Sequence, residues 1–397
     1  MMLKYLRDIK GDKTIWAIAG VLAILSFLPV YSSSSNLAYL YGNGNTASFL
    51  IKHGMHIVLG FGILILIHKI PYNYFKALSM IMLPVVIVLL VFTLMQGTTI
   101  QGANASRWIH IPLVGITFQT SAFAMVVLLV YVATYLTKIK DKVISFKESI
   151  LPLWVPVFLV IGLILPANFS TAAILFAMVI LLVFLGGYPF RYIATILGAG
   201  VVMLALFVLT AKAFPGVFPN RVDTWISRVE SFTDKTSAED GYQIEKAKIA
   251  IASGGITGLG PGKSVQKNFL PQSSSDFIFA VIIEEFGLIG ALVLMFFYVL
   301  LLFRILIVVG KSDTRFGKLV VIAVGIPIIF QAIINMAVAV ELFPVTGQTL
   351  PLISSGGTSI WMTCLALGII LSVSAKRPEP VKETNEENPL DILSEAI

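Results

Sequence analysis

Three carboxylates carry the chemistry this sequence can most readily offer. Asn268 to Gly290 reads NFLPQSSSDFIFAVIIEEFGLIG: a polar run ends at Asp276, an apolar run begins at once, and Glu284 and Glu285 follow inside it. Continued as a helix, the run puts Glu284 about 12 Å beyond Asp276 and roughly 80° round the axis, with Glu285 nearly opposite Asp276. An acid at the mouth of an apolar helix can serve as a general base. It can equally cap the helix, as the preceding Ser273, Ser274 and Ser275 also could. Glu284 and Glu285 cannot face lipid cheaply, so each is expected to meet a partner helix or a cavity, paired rather than reactive.

Other runs supply cations and hydrogen-bonding groups. Gly254 to Lys267, GGITGLGPGKSVQK, contains a GKS, but Thr257 stands where a nucleotide phosphate loop needs glycine, and no nucleotide is expected. Its glycines, with Lys263, Ser264 and Lys267, can present N–H groups and positive charge to an anion, or form a merely flexible turn. Arg107–Trp108 and Gln119–Ser121 bracket a second polar stretch, which suits an anionic lipid head group or an interfacial anchor. His53, His56 and His68 lack ligand partners and read as structural. Gln331 and Asn335 share a helix face and read as interhelical hydrogen-bonding residues.

The elements that must position these residues are membrane helices. Of 397 residues, 57% are apolar and 12% charged, more apolar surface than a soluble core of this size needs. About ten segments can cross a bilayer of roughly 30 Å: 14–31, 49–69, 76–96, 118–136, 150–166, 168–187, 191–212, 276–309, 317–341 and 354–375. An all-α polytopic membrane protein is therefore expected, since every backbone group must be satisfied within lipid. The first apolar run is too long, and lacks the small-residue site, for a cleavable signal peptide. A single cysteine, Cys364, excludes an internal disulfide or a CxxC metal site and reads as a packing residue.

Lysine and arginine set the orientation. With the N-terminus inside, one set of loops holds Lys4, Arg7, Lys10, Lys13, Lys69, Lys76, Lys138, Lys140, Lys142, Lys147, Arg191, Lys311, Arg315, Lys318, Lys376 and Arg377, whereas the short opposite loops hold only Lys52 and Arg107. N-in, C-in topology follows, and the net charge of +7 is chiefly a topology signal rather than a nucleic-acid footprint. Residues 1–375 are expected to form one transmembrane domain, with a large extracytoplasmic loop, 213–275, between helices 7 and 8. In that loop Trp225, Val229 and Phe232, then Ile244, Ala247 and Ile249, predict short helices lying on the membrane surface. Residues 376–397, rich in Pro, Glu and Asn, are expected to be a disordered cytoplasmic tail.

Taken in order, these motifs resemble the SEDS family (shape, elongation, division and sporulation), the membrane peptidoglycan glycosyltransferases that include FtsW, RodA and SpoVE. The resemblance spans nearly the whole chain. It rests on GANASRWI (102–109), RVESF (228–232), GYQ (241–243), SGGITGLGPGKSVQK (253–267), LPQSSSDFIFAVIIEEFG (270–287) and NMAVAVELFPVTGQTLPLISSGGTS (335–359). The RWI–IP–G–FQ pattern, PANFSTA (166–172) and VTGQTLP look more like the division branch, FtsW, than the elongation branch. There are departures. The family's FQPSE and following Lys become FQTSAFAM, so that Ala122 and Met125 replace an acid–base pair together; Asn168 replaces the acid of a PDLGT turn; Gln272 replaces the Glu after LP; and Glu341 stands where a neutral residue is common. Asp276 matches the family's essential acid.

The resemblance implies an inverting lipid II polymerase at the outer face of the bacterial inner membrane, acting at the septum in cell division and cell wall biogenesis. It implies Asp276 as catalytic base, and Arg107, Trp108, Gln119, Ser121, Arg228, Gln243, Lys263, Ser264, Lys267 and Ser355 as substrate-binding residues. A divalent cation, Mg or Mn, with ligands unassigned, would help pyrophosphate leave. Implied partners are a class B penicillin-binding transpeptidase, other divisome membrane proteins and membrane lipid. Open alternatives are a lipid II flippase, an elongation-type polymerase governing cell shape, and a scaffold for the transpeptidase.

Overall fold

The computed structural model describes residues 10–41, 46–96, 99–100, 103–104, 108–111, 116–139, 145–213, 238–270 and 273–375. Three helices, α1 (Lys13–Tyr41), α2 (Thr46–Lys69) and α3 (Tyr74–Gln96), lead into two short antiparallel strand pairs: β1 (Thr99–Ile100) with β2 (Ala103–Asn104), and β3 (Trp108–Ile111) with β4 (Ile116–Gln119). There follow α4 (Thr120–Lys138), α5 (Phe146–Ile164, with a π turn over Ile150–Trp154), α6 (Phe169–Leu185) and α7 (Phe190–Ala213). The chain continues through α8 (Ala238–Gly254), α9 (Ile278–Lys311), α10 (Arg315–Ala339) and α11 (Gly357–Ser374). An apolar helix lies in each of the ten segments that hydropathy marks. Eight are long and apolar enough to cross a membrane, while Phe169–Leu185 and Phe190–Met203 are shorter.

The spans are helical, as expected, and short strands appear in the connection between α3 and α4, where Ile116–Gln119 pairs with Trp108–Ile111 before α4 begins. The aromatic and β-branched residues there fit a pleated surface better than a helix. A helix does form over Ile244, Ala247 and Ile249, as α8, and it packs against the bundle. Ala247 and Ala250 are fully buried, and these small side chains let α8 dock closely on α9 and α10. Residues 225, 229 and 232 and the segment 376–397 lie outside the described residues.

Helix packing uses small residues, as it must where lipid supplies no hydrophobic drive between helices. At the crossing of α2 and α11, a Cβ on Gly60 would stand 3.0 Å from Cys364 Sγ, and one on Gly368 would stand 2.9 Å from Ile67. Cys364 is buried and reduced there.

Polar contacts gather at the two ends. At one end Asp12 Oδ1 accepts from the N–H groups of Thr14 (2.9 Å) and Ile15 (3.2 Å), which starts α1, and the same carboxylate pairs with Arg304 of α9. The Asp12 N–H donates to Ser374 Oγ at 2.9 Å, so the start of α1 meets the end of α11. Tyr72 bonds Thr314 (3.0 Å) and Arg315 donates to the Gly186 carbonyl (2.6 Å). Both ends of the helical domain thus lie with the lysine- and arginine-rich loops, as N-in, C-in topology requires. The opposite, outer end holds Asp276.

The long helix α9 is broken inside. Gly287 has φ 67° and ψ −167°, which separates a short buried segment, 278–286, from the apolar stretch beyond it. The freed backbone groups pair with the glycine-rich turn. The N–H groups of Leu259 and Gly260 donate to the carbonyls of Glu284 and Glu285 (both 2.9 Å), and Leu288 and Ile289 donate to those of Gly255 (3.0 Å) and Ile256 (3.2 Å). Irregular backbone is tolerated here because the turn supplies the hydrogen bonds that the broken helix gives up.

Candidate functional site

The site is built on backbone carbonyls. Residues 273–277 form turns rather than helix, and the cap position of α9 is Phe277, whose side chain makes no cap hydrogen bond. Asp276 is therefore not itself the N-cap residue of α9. Three successive carbonyls in this run are each captured by a side chain from elsewhere. Ser355 donates to the Ser274 carbonyl through its N–H (3.0 Å) and Oγ (3.1 Å), Ser354 Oγ to that of Ser275 (2.7 Å), and Asn335 Nδ2 to that of Asp276 (2.9 Å). An unpaired polar group in so enclosed a run would cost about 1–3 kcal/mol.

The loop from 342 to 353 closes over the acid. Asn335 uses its second N–H on the Gln348 carbonyl (2.7 Å), and Gln348 Nε2 donates to Thr171 (3.1 Å) at the start of α6, whose N-cap is Asn168. Gln331 donates to Thr349 (3.3 Å), which in turn donates to Ser359 (2.7 Å). Gln331 and Asn335 do form hydrogen bonds, but their partners lie in the loop and in the turn before α9 rather than on a facing helix. Gly347 faces the carboxylate itself, since a Cβ on it would stand 3.5 Å from Asp276 Oδ2. Its φ of +65° is one that glycine adopts without steric cost.

The outer strands join the same surface. Thr358 Oγ1 donates to the Thr117 carbonyl and accepts from the Gln119 N–H, both at 3.1 Å, which ties β4 to the start of α11. Behind β4, a cleft is lined by Thr93, Thr120, Ser121 and Asn168 among apolar residues of α3 and α5.

A second polar cluster lies beyond Asp276, under the glycine-rich turn. Glu284, 1% exposed, accepts from Ser264 Oγ and from the N–H groups of Val265 (2.9 Å) and Gln266 (3.2 Å). Glu285, equally buried, accepts from Ser32 Oγ of α1 and the Ser264 N–H (3.3 Å). Lys267 reaches Ser32 Oγ (3.0 Å) and the Gly262 carbonyl (2.8 Å). Both acids are paired, as expected, and their partners are the turn and α1.

The candidate residues therefore separate. Ser355 stands with the Asp276 run. Gln119 and half-buried Trp108 lie on the hairpin, and Ser121 lines the cleft. Gln243 lies on α8, and Lys263 is exposed on the turn. Ser264 and Lys267 are buried and committed to the Glu284–Glu285 cluster instead. Arg107 and Arg228 lie outside the described residues. The sequence reading missed Ser354 altogether; only its place beside Ser355 in the serine–glycine run marked it.

A resident metal does not fit the described donor set. Among the described residues no group of three or more His, Cys, Asp or Glu side chains could hold an ion, and the histidines face other partners: His53 meets Ser26 at 2.7 Å, and His56 packs edge-on against Trp361.

Fold and site together define a class, a multi-pass helical membrane protein with one backbone-anchored carboxylate at its outer end. The family model covering FtsW, RodA and SpoVE, described as cell cycle protein, matches residues 12–379, and the chain belongs to this family. Two relatives carry the name probable peptidoglycan glycosyltransferase FtsW. That of Enterococcus hirae is 31% identical over 95% of this chain and 96% of its own, and that of Idiomarina loihiensis is 30% identical over 92% and 87%. Among solved structures, a chain from work on the structural coordination of polymerization and crosslinking by a peptidoglycan synthase complex superposes with a TM-score of 0.71. It is 25% identical, over 93% of this chain and 99% of that one. The rod shape determining protein RodA of Thermus thermophilus shares the fold, with a TM-score of 0.66 at 22% identity over 94% of this chain and 100% of its own.

Proposed function

We propose that this protein is a peptidoglycan glycosyltransferase that polymerises lipid II at the outer face of the cytoplasmic membrane, with Asp276 as general base. The observation that carries the reading is Asp276 itself, held through three successive carbonyls while its carboxylate faces the 347 turn. Asp276 takes the proton from the C4 hydroxyl of one lipid-linked sugar as that oxygen attacks C1 of the glycan on another. The bond from C1 to the lipid pyrophosphate breaks with inversion, so one base suffices and no covalent intermediate forms. Charge on the departing pyrophosphate falls to Lys263, Arg107 and Arg228. Any Mg or Mn ion arrives with the substrate's phosphate oxygens, the usual mode for magnesium.

A class B penicillin-binding transpeptidase is the proposed partner, and the division septum the proposed place of action. The relatives named FtsW and the peptidoglycan synthase complex support both. The test is lipid II polymerisation by full-length protein in liposomes, with and without the transpeptidase. Asp276→Asn is expected to lower turnover by about 10²-fold or more. Full activity of a correctly inserted Asp276→Asn protein would remove the proposed base.

A further inference from the structure

We propose that Asn335 is a positioning residue for Asp276, acting on the rate of glycosyl transfer rather than on substrate affinity; the proposal rests on Asp276 being the base. Asn335 is 1% exposed, in the outer part of α10. Its two amide hydrogens go to two backbone carbonyls from different parts of the chain, Asp276 (2.9 Å) and Gln348 (2.7 Å). This fixes the amide's orientation, because a flip would set its oxygen against both carbonyl oxygens. Oδ1 has no hydrogen-bond donor among the described residues. An aliphatic side chain in the same space would spare that acceptor but leave the Asp276 and Gln348 carbonyls without these donors. What the amide supplies in return is one rigid link between the residue bearing the base and the loop that faces its carboxylate.

The link acts where the chain joins α9, on the backbone of the residue that bears the base. The break at Gly287 separates the segment that follows Asp276 from the long stretch beyond. Ser354 holds the neighbouring Ser275 carbonyl at 2.7 Å, one residue removed from the base. Displacement of a general base by an ångström can cost about a hundredfold in rate without changing what the substrate touches. Asn335 itself has no exposed atom to offer a substrate, so its loss should leave affinity intact.

The experiment measures initial rates of lipid II polymerisation against lipid II concentration, for full-length protein in liposomes. Asn335→Ala is expected to lower kcat by about 10–100-fold with KM within about twofold of the parent. Ser354→Ala, which frees a carbonyl one residue away, should give a smaller loss with the same split. Should Asn335→Ala fail to insert, Asn335→Ser, which keeps a single donor, and Ser354→Ala carry the same reading. An unchanged kcat in the inserted variants, or a rise in KM that matches the loss of kcat/KM, overturns the proposal. Asp276→Asn run in parallel separates the two ideas. If it is active, the base assignment falls and this proposal with it; if it is inactive while Asn335→Ala is fully active, only the positioning role falls.

Discussion

A Cβ on Gly258 would stand 2.2 Å from the carbonyl oxygen of Glu285, and a Cβ on Gly287 would meet the Ile256 carbonyl at the same distance. The turn and the broken helix approach so closely that their backbones replace the hydrogen bonds that α9 gives up. Both glycines also have positive φ, +81° and +67°. Gly258→Ala and Gly287→Ala should therefore each cost about 3 kcal/mol or more, because backbone rather than a flexible side chain has to move. Thermal unfolding in detergent is the check. Gly255→Ala, with φ +53° but open space around it, should cost only about 1 kcal/mol.

The two buried glutamates should respond differently. Glu284→Ala strands the Ser264 hydroxyl and the N–H groups of Val265 and Gln266, and the expected loss is about 3–5 kcal/mol. Glu285→Gln keeps an acceptor for Ser32 and should cost less, about 1–3 kcal/mol, mainly from the charge it removes near Lys267. Chemical denaturation of both variants, with Lys267→Met added to Glu285→Gln, provides the comparison. The double variant should be less destabilised than the sum of the singles.

Glu341, unusual in the family pattern, forms an ion pair with Lys248 of α8, and its φ is 59°. The pair is partly exposed and should contribute at most about 1 kcal/mol. The left-handed backbone costs a similar amount, about 1–2 kcal/mol, which glycine would avoid. Lys248→Ala should thus be mildly destabilising, more so at low salt, whereas Glu341→Gly should lie within about 1 kcal/mol of the parent. Melting temperatures at two ionic strengths decide it.

Arg304 joins α9 to the start of α1 through Asp12. Arg304→Ala should lower stability by about 1–3 kcal/mol. Polymerisation by the protein that remains folded should be unaffected, because this contact lies at the opposite end of the bundle from Asp276. A changed kcat at saturating lipid II would refute that separation.

Much of the architecture is legible in the residues. Apolar runs longer than a bilayer is thick can only be helices, and the Lys and Arg bias gives them a direction, so the bundle and its two faces follow from local composition. Asp276 is legible too, since one carboxylate between three serines and an apolar run stands out in any window. Glu284 and Glu285 could be read as paired because charge in lipid is costly, but Ser264 and Ser32 lie far from them in sequence, so the identity of those partners was not readable.

What the sequence alone determined is the set of elements and the acid they expose. Tertiary structure decided which groups hold that acid and which do not. Lys267 and Ser264 look like anion-binding residues in a glycine-rich turn, yet Ser264 bonds the buried glutamates and Lys267 bonds Ser32 and the Gly262 carbonyl, while Asn335 and Ser354, which look like ordinary polar residues of a helix and a loop, hold the Asp276 run. The reason is physical. Composition and periodicity report one segment's relation to its solvent, whereas a backbone carbonyl accepts from whatever donor the packing of distant helices brings within about 3 Å.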